Sequence, residues 1–292
     1  TGVQAEKAGN ILIYNARKGV ILASGGFGAN IEMCQKYCKQ WDFSSIRALS
    51  TNSPAMTGDG IIMAQEVGAQ LADMQYIQLY PINNPATGSH YNLDYARLNH
   101  NALLVSKEGE RFVDERASRN TISEAAIKQT GKIVYELIDY ATIQEMELET
   151  LFHEEISRCS DQGVLVKGSL KECAEYFGIP FYNLNRTIER YNSMVNSGKD
   201  VDYGREDLKP FGGSGHYLMF ASVVSIHHTM GGVKIDSQAH VLDNQDGIIP
   251  GLYAAGEVTG GIHGSNRLGS VALTDTVVFG RIAARTIVRE NG

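Results

Sequence analysis

Gly256-Glu257-Val258-Thr259-Gly260-Gly261-Ile262-His263-Gly264-Ser265-Asn266-Arg267-Leu268-Gly269-Ser270 is the stretch on which the fold is decided. Five glycines, amide and hydroxyl donors and one arginine fall within these fifteen residues, and a helical pattern from Leu273 to Ile287 follows directly. Before the loop, Gly251-Leu252-Tyr253-Ala254-Ala255 reads as a strand. Strand, glycine loop and helix in this order bring backbone N–H groups and a helix start up to an anion or an electron-rich ring. From spacing alone, an elaborate turn that holds no ligand reads the same way.

Working outward, the same order recurs near the other end of the chain. Asn10-Ile11-Leu12-Ile13-Tyr14 and Gly19-Val20-Ile21-Leu22-Ala23 read as two short buried strands, the second entering Ser24-Gly25-Gly26-Phe27-Gly28. A helix is expected to start near Gly60, after Thr57-Gly58-Asp59, and to end at Gly68. His227-His228-Thr229-Met230-Gly231-Gly232 precedes a strand at Val233-Lys234-Ile235, and Asn244-Gln245-Asp246-Gly247 reads as a turn. The 31 glycines exceed the roughly 7% usual in proteins and gather at the two ends. From about Met74 to Tyr203 they thin out, with a hairpin signal at Lys107-Glu108-Gly109-Glu110 and amphipathic helices near 120–130, 139–152 and 184–197. The pattern predicts one α/β domain built from both ends (1–75 and 211–292) and interrupted by an α+β insert (76–210).

Composition excludes several classes. The 292 residues carry 26 Lys+Arg against 33 Asp+Glu, a net charge of −7, with no basic run of the kind a nucleic-acid binder needs. No apolar run nears the roughly 18 residues of a membrane span. Residues 1–19 lack the order of a secretory signal, and a start at Thr1 without Met predicts a processed or excised chain. This leaves the compartment open between cytoplasm and periplasm. Cys34, Cys38, Cys159 and Cys173 form no CxxC, which predicts reduced thiols; Cys34 and Cys38 at i,i+4 lack partners for a metal, and none is expected.

The long ordered motifs resemble those of the flavoproteins of the fumarate reductase and succinate dehydrogenase superfamily, above all the soluble fumarate reductase and urocanate reductase branch. The resemblance rests on His227-His228-Thr229-Met230-Gly231-Gly232, on Gly251 to Gly261, and on Asn266-Arg267-Leu268-Gly269. It extends through Ala23 to Gly28, Gly58-Asp59-Gly60 and Gly109-Glu110-Arg111-Phe112-Val113-Asp114-Glu115. It implies a Rossmann-like FAD-binding domain, interrupted by a capping domain and incomplete at its N-terminus, because the GxGxxG that grips the FAD pyrophosphate does not precede residue 10. The missing half of the flavin domain would then be a partner of this chain. No covalent flavin-attachment motif is recognised, which implies noncovalent FAD.

The resemblance also implies roles. Arg119 falls where the family has the arginine that protonates the substrate carbon opposite the flavin hydride. His227 and Arg267 match the pair that holds a substrate carboxylate, to which a guanidinium fork is well suited. Ser24, Gly25, Gly26, Asp59, His228, Gly256, Glu257, Asn266, Gly269, Ser270, Val271, Ala272 and Leu273 fall on the flavin side. Tyr80 stands where fumarate-reducing members carry a histidine, and their threonine-glutamate pair aligns near Asp94-Tyr95, with Leu98 facing their relay arginine and Arg97 beside it. A tyrosine and an aspartate here resemble urocanate-reducing members. The expectation is reduction of an unsaturated carboxylate bearing a ring, with the electron-donor domain or protein unspecified, since no CxxCH haem site is present. Fumarate reduction proper, a ketosteroid dehydrogenase-like activity and a folded fragment without activity are the alternatives.

Overall fold

The computed structural model describes residues 2–43, 49–213 and 215–290 and divides into two compact units, Thr1–Gln78 with Ile226–Gly292, and Leu79–Ser225.

In the first unit the two ends of the chain share a sheet. The strand Ile248–Ala254 runs parallel to Val20–Leu22, with Leu252 opposite Val20 and Ala254 opposite Leu22, and antiparallel to His240–Leu242. Parallel neighbours need a long crossover, and here the crossover contains the whole second unit. A second sheet joins Thr259–Gly260, Gly232–Lys234 and Leu71–Ala72. Its close approach demands glycine, since a Cβ on Gly232 would lie 2.1 Å from the Val258 carbonyl oxygen. The helices Ile31–Tyr37, Asp59–Glu66 and Val271–Glu290 complete the unit.

One expectation is corrected. Asn10–Asn15 is a strand, but it pairs only with Gly2–Lys7 in an antiparallel hairpin and is exposed along its length. Its apolar residues alternate with nothing, so no register hides them all, and no further strand pairs with the ribbon among the described residues. Ile11 and Ile13 are 64% and 69% exposed.

The second unit is built on a mixed-length sheet. Its path runs Ile77–Asn83, His216–Thr229, Val134–Asp139 and Leu103–Val105, and Leu165–Ser169 also pairs with His216–Thr229. The strands Ile77–Asn83 and Val134–Asp139 are buried at every position. Helix Phe181–Ser197 buries Leu184, Ile188, Tyr191 and Met194, spaced to share one face, and the first three pack in one cluster with this sheet's Leu103, Leu137 and Met219. Each such burial contributes about 1.5–3 kcal/mol. Ser169 and Glu172 form a capping box that starts helix Leu170–Phe177. The division between units falls at Ser225/Ile226, inside the long strand His216–Thr229, rather than at 210/211. Most of that strand pairs with the insert, so its residues group with the insert. The pattern over 139–152 is split into Tyr140–Glu145 and Leu148–Leu151, because Glu147 takes a left-handed conformation between them.

The Gly109 to Glu115 motif is structural within this unit. Ser106 N–H donates to the Glu110 carbonyl across the hairpin, and Gly109 has φ +80°. Arg111 then donates from Nε and Nη2 to Glu115 at 2.9 and 2.8 Å and from Nη2 to Asp200 at 3.0 Å, while Arg205 Nη1 reaches Glu115 at 3.3 Å. All four side chains are buried, so removing one partner strands the others.

Candidate flavin-side and proton-delivery sites

In the first unit, the loops after Val20–Leu22 and Ile248–Ala254 bring the motif residues together. Gly26 is buried, and a Cβ there would meet Thr229 Oγ1 at 2.1 Å and Glu257 Oε1 at 2.6 Å. Glu257 Oε1 accepts from Thr229 N–H at 2.9 Å, and its other oxygen lies 3.2 Å from His228 Nδ1. Burial opposes ionisation of Glu257, but the bonds from His228 and Thr229 outweigh it and hold the carboxyl below its ordinary value. His228 Nε2 is buried without a hydrogen-bond partner among the described residues, so it presents one polar atom for a ligand. Ser24 and Asp59 are exposed nearby in sequence order, Asp59 opening helix Asp59–Glu66 behind Gly58 at φ +83°.

His227 and Arg267, the expected carboxylate clamp, are both held by neighbours. His227 Nδ1 is 2.9 Å from Thr51 Oγ1. Thr51 Oγ1 also lies 3.3 Å from the Ile226 carbonyl oxygen, so its one proton goes to that carbonyl or to Nδ1, and the second choice leaves the ring's own proton on Nε2, where a carboxylate can accept it. Gln78 Nε2 donates to the Asn266 side chain and, at 2.9 Å, to the Arg267 carbonyl, while Arg267 N–H donates to Asn266 Oδ1 at 3.0 Å. Gln78 and Thr51 thus hold Arg267 and His227. Spacing gave no sign of either, because both act across more than 170 residues of chain.

The residues present fit a flavin. Gly269, Ser270, Val271 and Leu273 are exposed around the start of helix Val271–Glu290, together with Leu268, Val277 and Val278. Ser270 takes φ +64° to turn the loop into the helix, and Gly256 and Gly261 have φ +81° and +87°. An open apolar face beside a helix N-terminus and an unpaired buried imidazole nitrogen suits a flat, partly polar, electron-rich ring. Nearby, His263 Nε2 lies 3.3 Å from Asp275 Oδ2, and burial leaves His263 below and Asp275 above their ordinary values.

In the second unit, Arg119 starts helix Arg119–Ile127, whose first turn is capped by Ser118 accepting from Thr121 N–H at 3.2 Å. The Arg119 guanidinium carbon lies 4.7 Å from the centre of the Tyr80 ring, and His90 meets the same ring edge-on at 4.4 Å. The Tyr80 hydroxyl donates to Asp94 Oδ2. Arg97 donates to both Asp94 oxygens, Nε at 2.6 Å and Nη2 at 2.9 Å, and its Nη1 donates to the Glu115 carbonyl at 2.7 Å. Asp94 therefore pairs with Arg97 at i,i+3, while Tyr95 and Leu98 turn outward, 50% and 45% exposed. Glu155 holds the turn in place by accepting from Asn92 and Leu93 N–H at 3.2 and 3.0 Å. The charge of Asp94 is thus already balanced by Arg97.

Cys34 and Cys38 are buried, and burial, with Cys38 beside it, pushes the Cys34 thiol up to about 12. Among the described residues no group of three or more His, Cys, Asp or Glu side chains is placed to hold a metal, and no helix is long and apolar enough to cross a membrane.

The glycine loops on a shared parallel sheet and the unpaired imidazole define a flavin-binding protein, and the chain belongs to the FAD-binding domain family, whose model matches residues 1–273; its cofactor is FAD. It is similar to the urocanate reductase of Eggerthella lenta, 42% identical over 268 residues, covering 91% of this chain and 44% of that protein. The NADH:acrylate oxidoreductase of Vibrio harveyi is 39% identical over 287 residues, covering 98% of this chain and 28% of that one. Among solved structures, the open conformation of a flavocytochrome c3 fumarate reductase superposes with a TM-score of 0.76 at 37% identity, over 94% of this chain and 46% of that one. The chain thus spans less than half the length of each of these relatives.

Proposed function

We propose that the protein reduces the C=C bond of an α,β-unsaturated carboxylate. The observation that carries this reading is the cluster in which the Arg119 guanidinium lies over the Tyr80 ring, the Tyr80 hydroxyl donates to Asp94, and Asp94 is held by Arg97. FAD, when bound, supplies the hydride. His227 and Arg267 hold the substrate carboxylate, which fixes the double bond and draws electron density from it. Arg119 gives the proton to the second carbon. A guanidinium ordinarily holds its proton above about pH 12, so donation requires a dry setting and a partner that returns the proton. Tyr80 and Asp94 supply that return path. The names of the similar proteins, reductases of urocanate, acrylate and fumarate, support the same reaction class.

For the substrate we favour a ring-bearing monocarboxylate of the urocanate kind over fumarate. All three guanidinium nitrogens of Arg97 are committed, to Asp94 and to the Glu115 carbonyl, so Arg97 has no clear fork for a second carboxylate. Steady-state kcat/KM for urocanate, cinnamate, acrylate and fumarate with a reduced viologen tests both levels. Fumarate preferred by tenfold or more, about 1.4 kcal/mol, overturns the ring preference, and turnover of none of the four overturns the reductase reading.

A further inference from the structure

Glu136 is a charged-type residue in a place where charge is costly. It lies in the strand Val134–Asp139, with Leu104 and Phe220 opposite it on the flanking strands, and it is fully buried. No donor among the described residues reaches either carboxyl oxygen, and the Asp94 side chain becomes a hydrogen-bond partner when one of the two carboxyls keeps a proton. Arg97 Nε stands 4.0 Å from Oε2, and Asp94, Glu115 and the Tyr91 hydroxyl are the other titratable groups that act on it. Burial, then the neighbouring Asp94, hold its carboxyl well above the ordinary value, with Arg97 working the other way. Two carboxyl groups buried side by side cost stability unless one of them keeps its proton. A group kept against stability in contact with a proton path has a function to explain it.

We propose that Glu136 is a positioning residue of the proton path, a neutral carboxylic acid that gives its proton to Asp94 while Arg119 is being reloaded. The inference rests on the reductase reading. After Arg119 has given its proton to substrate carbon, the Glu136 O–H bond breaks and a new O–H bond forms on Asp94. Glu136 becomes an anion, balanced by Arg97, and Asp94 becomes the neutral acid that passes the proton on through the Tyr80 hydroxyl towards Arg119. One solvent proton resets Glu136, so one proton enters for each substrate reduced. A cavity of about 340 Å³ lined by Asn84, Ser89, His90, Tyr91, Glu155 and Cys159 gives water a way to His90, which touches Tyr80, and to Tyr91.

Two variants of the FAD-loaded protein test this. Glu136→Gln keeps a neutral group that cannot release a proton; Glu136→Leu removes the polar group altogether. Both are expected to lower kcat about tenfold or more with KM within about twofold, and to change the pH profile of kcat. Difference infrared spectra at neutral pH are expected to show the C=O stretch of one protonated carboxylic acid that Glu136→Gln removes. Wild-type kcat and pH profile in Glu136→Gln, or no such band, overturns the proposal. A wild type that shows the band but reduces no unsaturated carboxylate overturns the reductase reading, and the relay with it.

Discussion

In the proposed reaction Arg119 and Arg267 are the same residue type in two different jobs, and the difference is measurable. A clamp acts on substrate and transition state alike, whereas a proton donor acts only as the bond forms. Arg119→Ala is therefore expected to lower kcat by about 10²- to 10⁴-fold, the usual span for a general acid, with KM little changed. Its loss removes a contact with the Tyr80 ring worth about 0.5–1 kcal/mol, too little to unfold the unit. Arg267→Ala is expected to raise KM about 10- to 100-fold, corresponding to about 1.5–3 kcal/mol for a charge-assisted bond, with a smaller change in kcat. Steady-state kinetics on both variants decides it; wild-type kcat in Arg119→Ala removes that residue from the chemistry. At this scale the sequence was readable where residues sit in a motif that the fold gathers, as with Gly26, His228, Thr229 and Glu257. Thr51, Gln78 and Glu136 escaped because each acts by touching something distant in the chain, and their own neighbours in sequence carry no sign of it.

Helix Val271–Glu290 shows how one element is fastened at one end and left open at the other. Only Asp275, Ala283 and Thr286 are buried along it, and its later turns pack on Ala239 and Tyr253. At its end Glu290 accepts from His240 Nε2 at 3.0 Å and from the Tyr253 hydroxyl at 2.8 Å, while His240 Nδ1 bonds Asp236 at 2.8 Å. Burial works against the charged form of His240, but these carboxylates outweigh it and raise its pKa. Asp236 ends below its ordinary value despite burial, and Glu290 is lowered by the bonds from Tyr253 and His240. The histidine's contribution is thus complete below about pH 6.5, its ordinary value, and fades as pH rises through the raised one. The carboxylates contribute above about pH 4 and lose their share as pH falls through their lowered values. The fastening is strongest between those limits. His240→Gln is expected to lower Tm more at about pH 5.5 than at about pH 8.5, as read by thermal melts; an equal loss at both removes the ion pairs from the stability of this helix. The helix itself was evident from its 3.6-residue spacing and the glycine loop before it. Its fastening was not, since it joins positions 236, 240, 253 and 290.

At the scale of the whole molecule, the glycine pattern announced the architecture because glycine is required where backbones meet closely. Gly26, Gly231 and Gly232 each face an atom within 2.3 Å of where a Cβ would stand, and all three lie in the segments that read as flavin-binding. The exposed hairpin was misread for the opposite reason: apolar residues indicate a strand, but nothing in a strand's own sequence says what covers it. The same accounting governs how these 292 residues meet FAD. They contain the ring-side loops, the helix start at Val271 and the unpaired His228 nitrogen, but no GxGxxG anywhere along their length. The pyrophosphate and adenosine of FAD ordinarily owe much of their affinity to that motif and its helix dipole. We therefore expect the 292-residue chain alone to bind FAD weakly and to bind riboflavin, which has the ring without the pyrophosphate, within about tenfold as well, about 1.4 kcal/mol. A ligand that binds only the folded state raises stability by RT ln(1 + [L]/Kd), so the two should give similar, small rises in Tm at equal concentration. Thermal melts with each flavin, and the visible spectrum after desalting, measure this. A chain that retains one FAD through desalting, or that FAD stabilises far beyond riboflavin, would locate a pyrophosphate grip within these residues that the glycine pattern does not reveal.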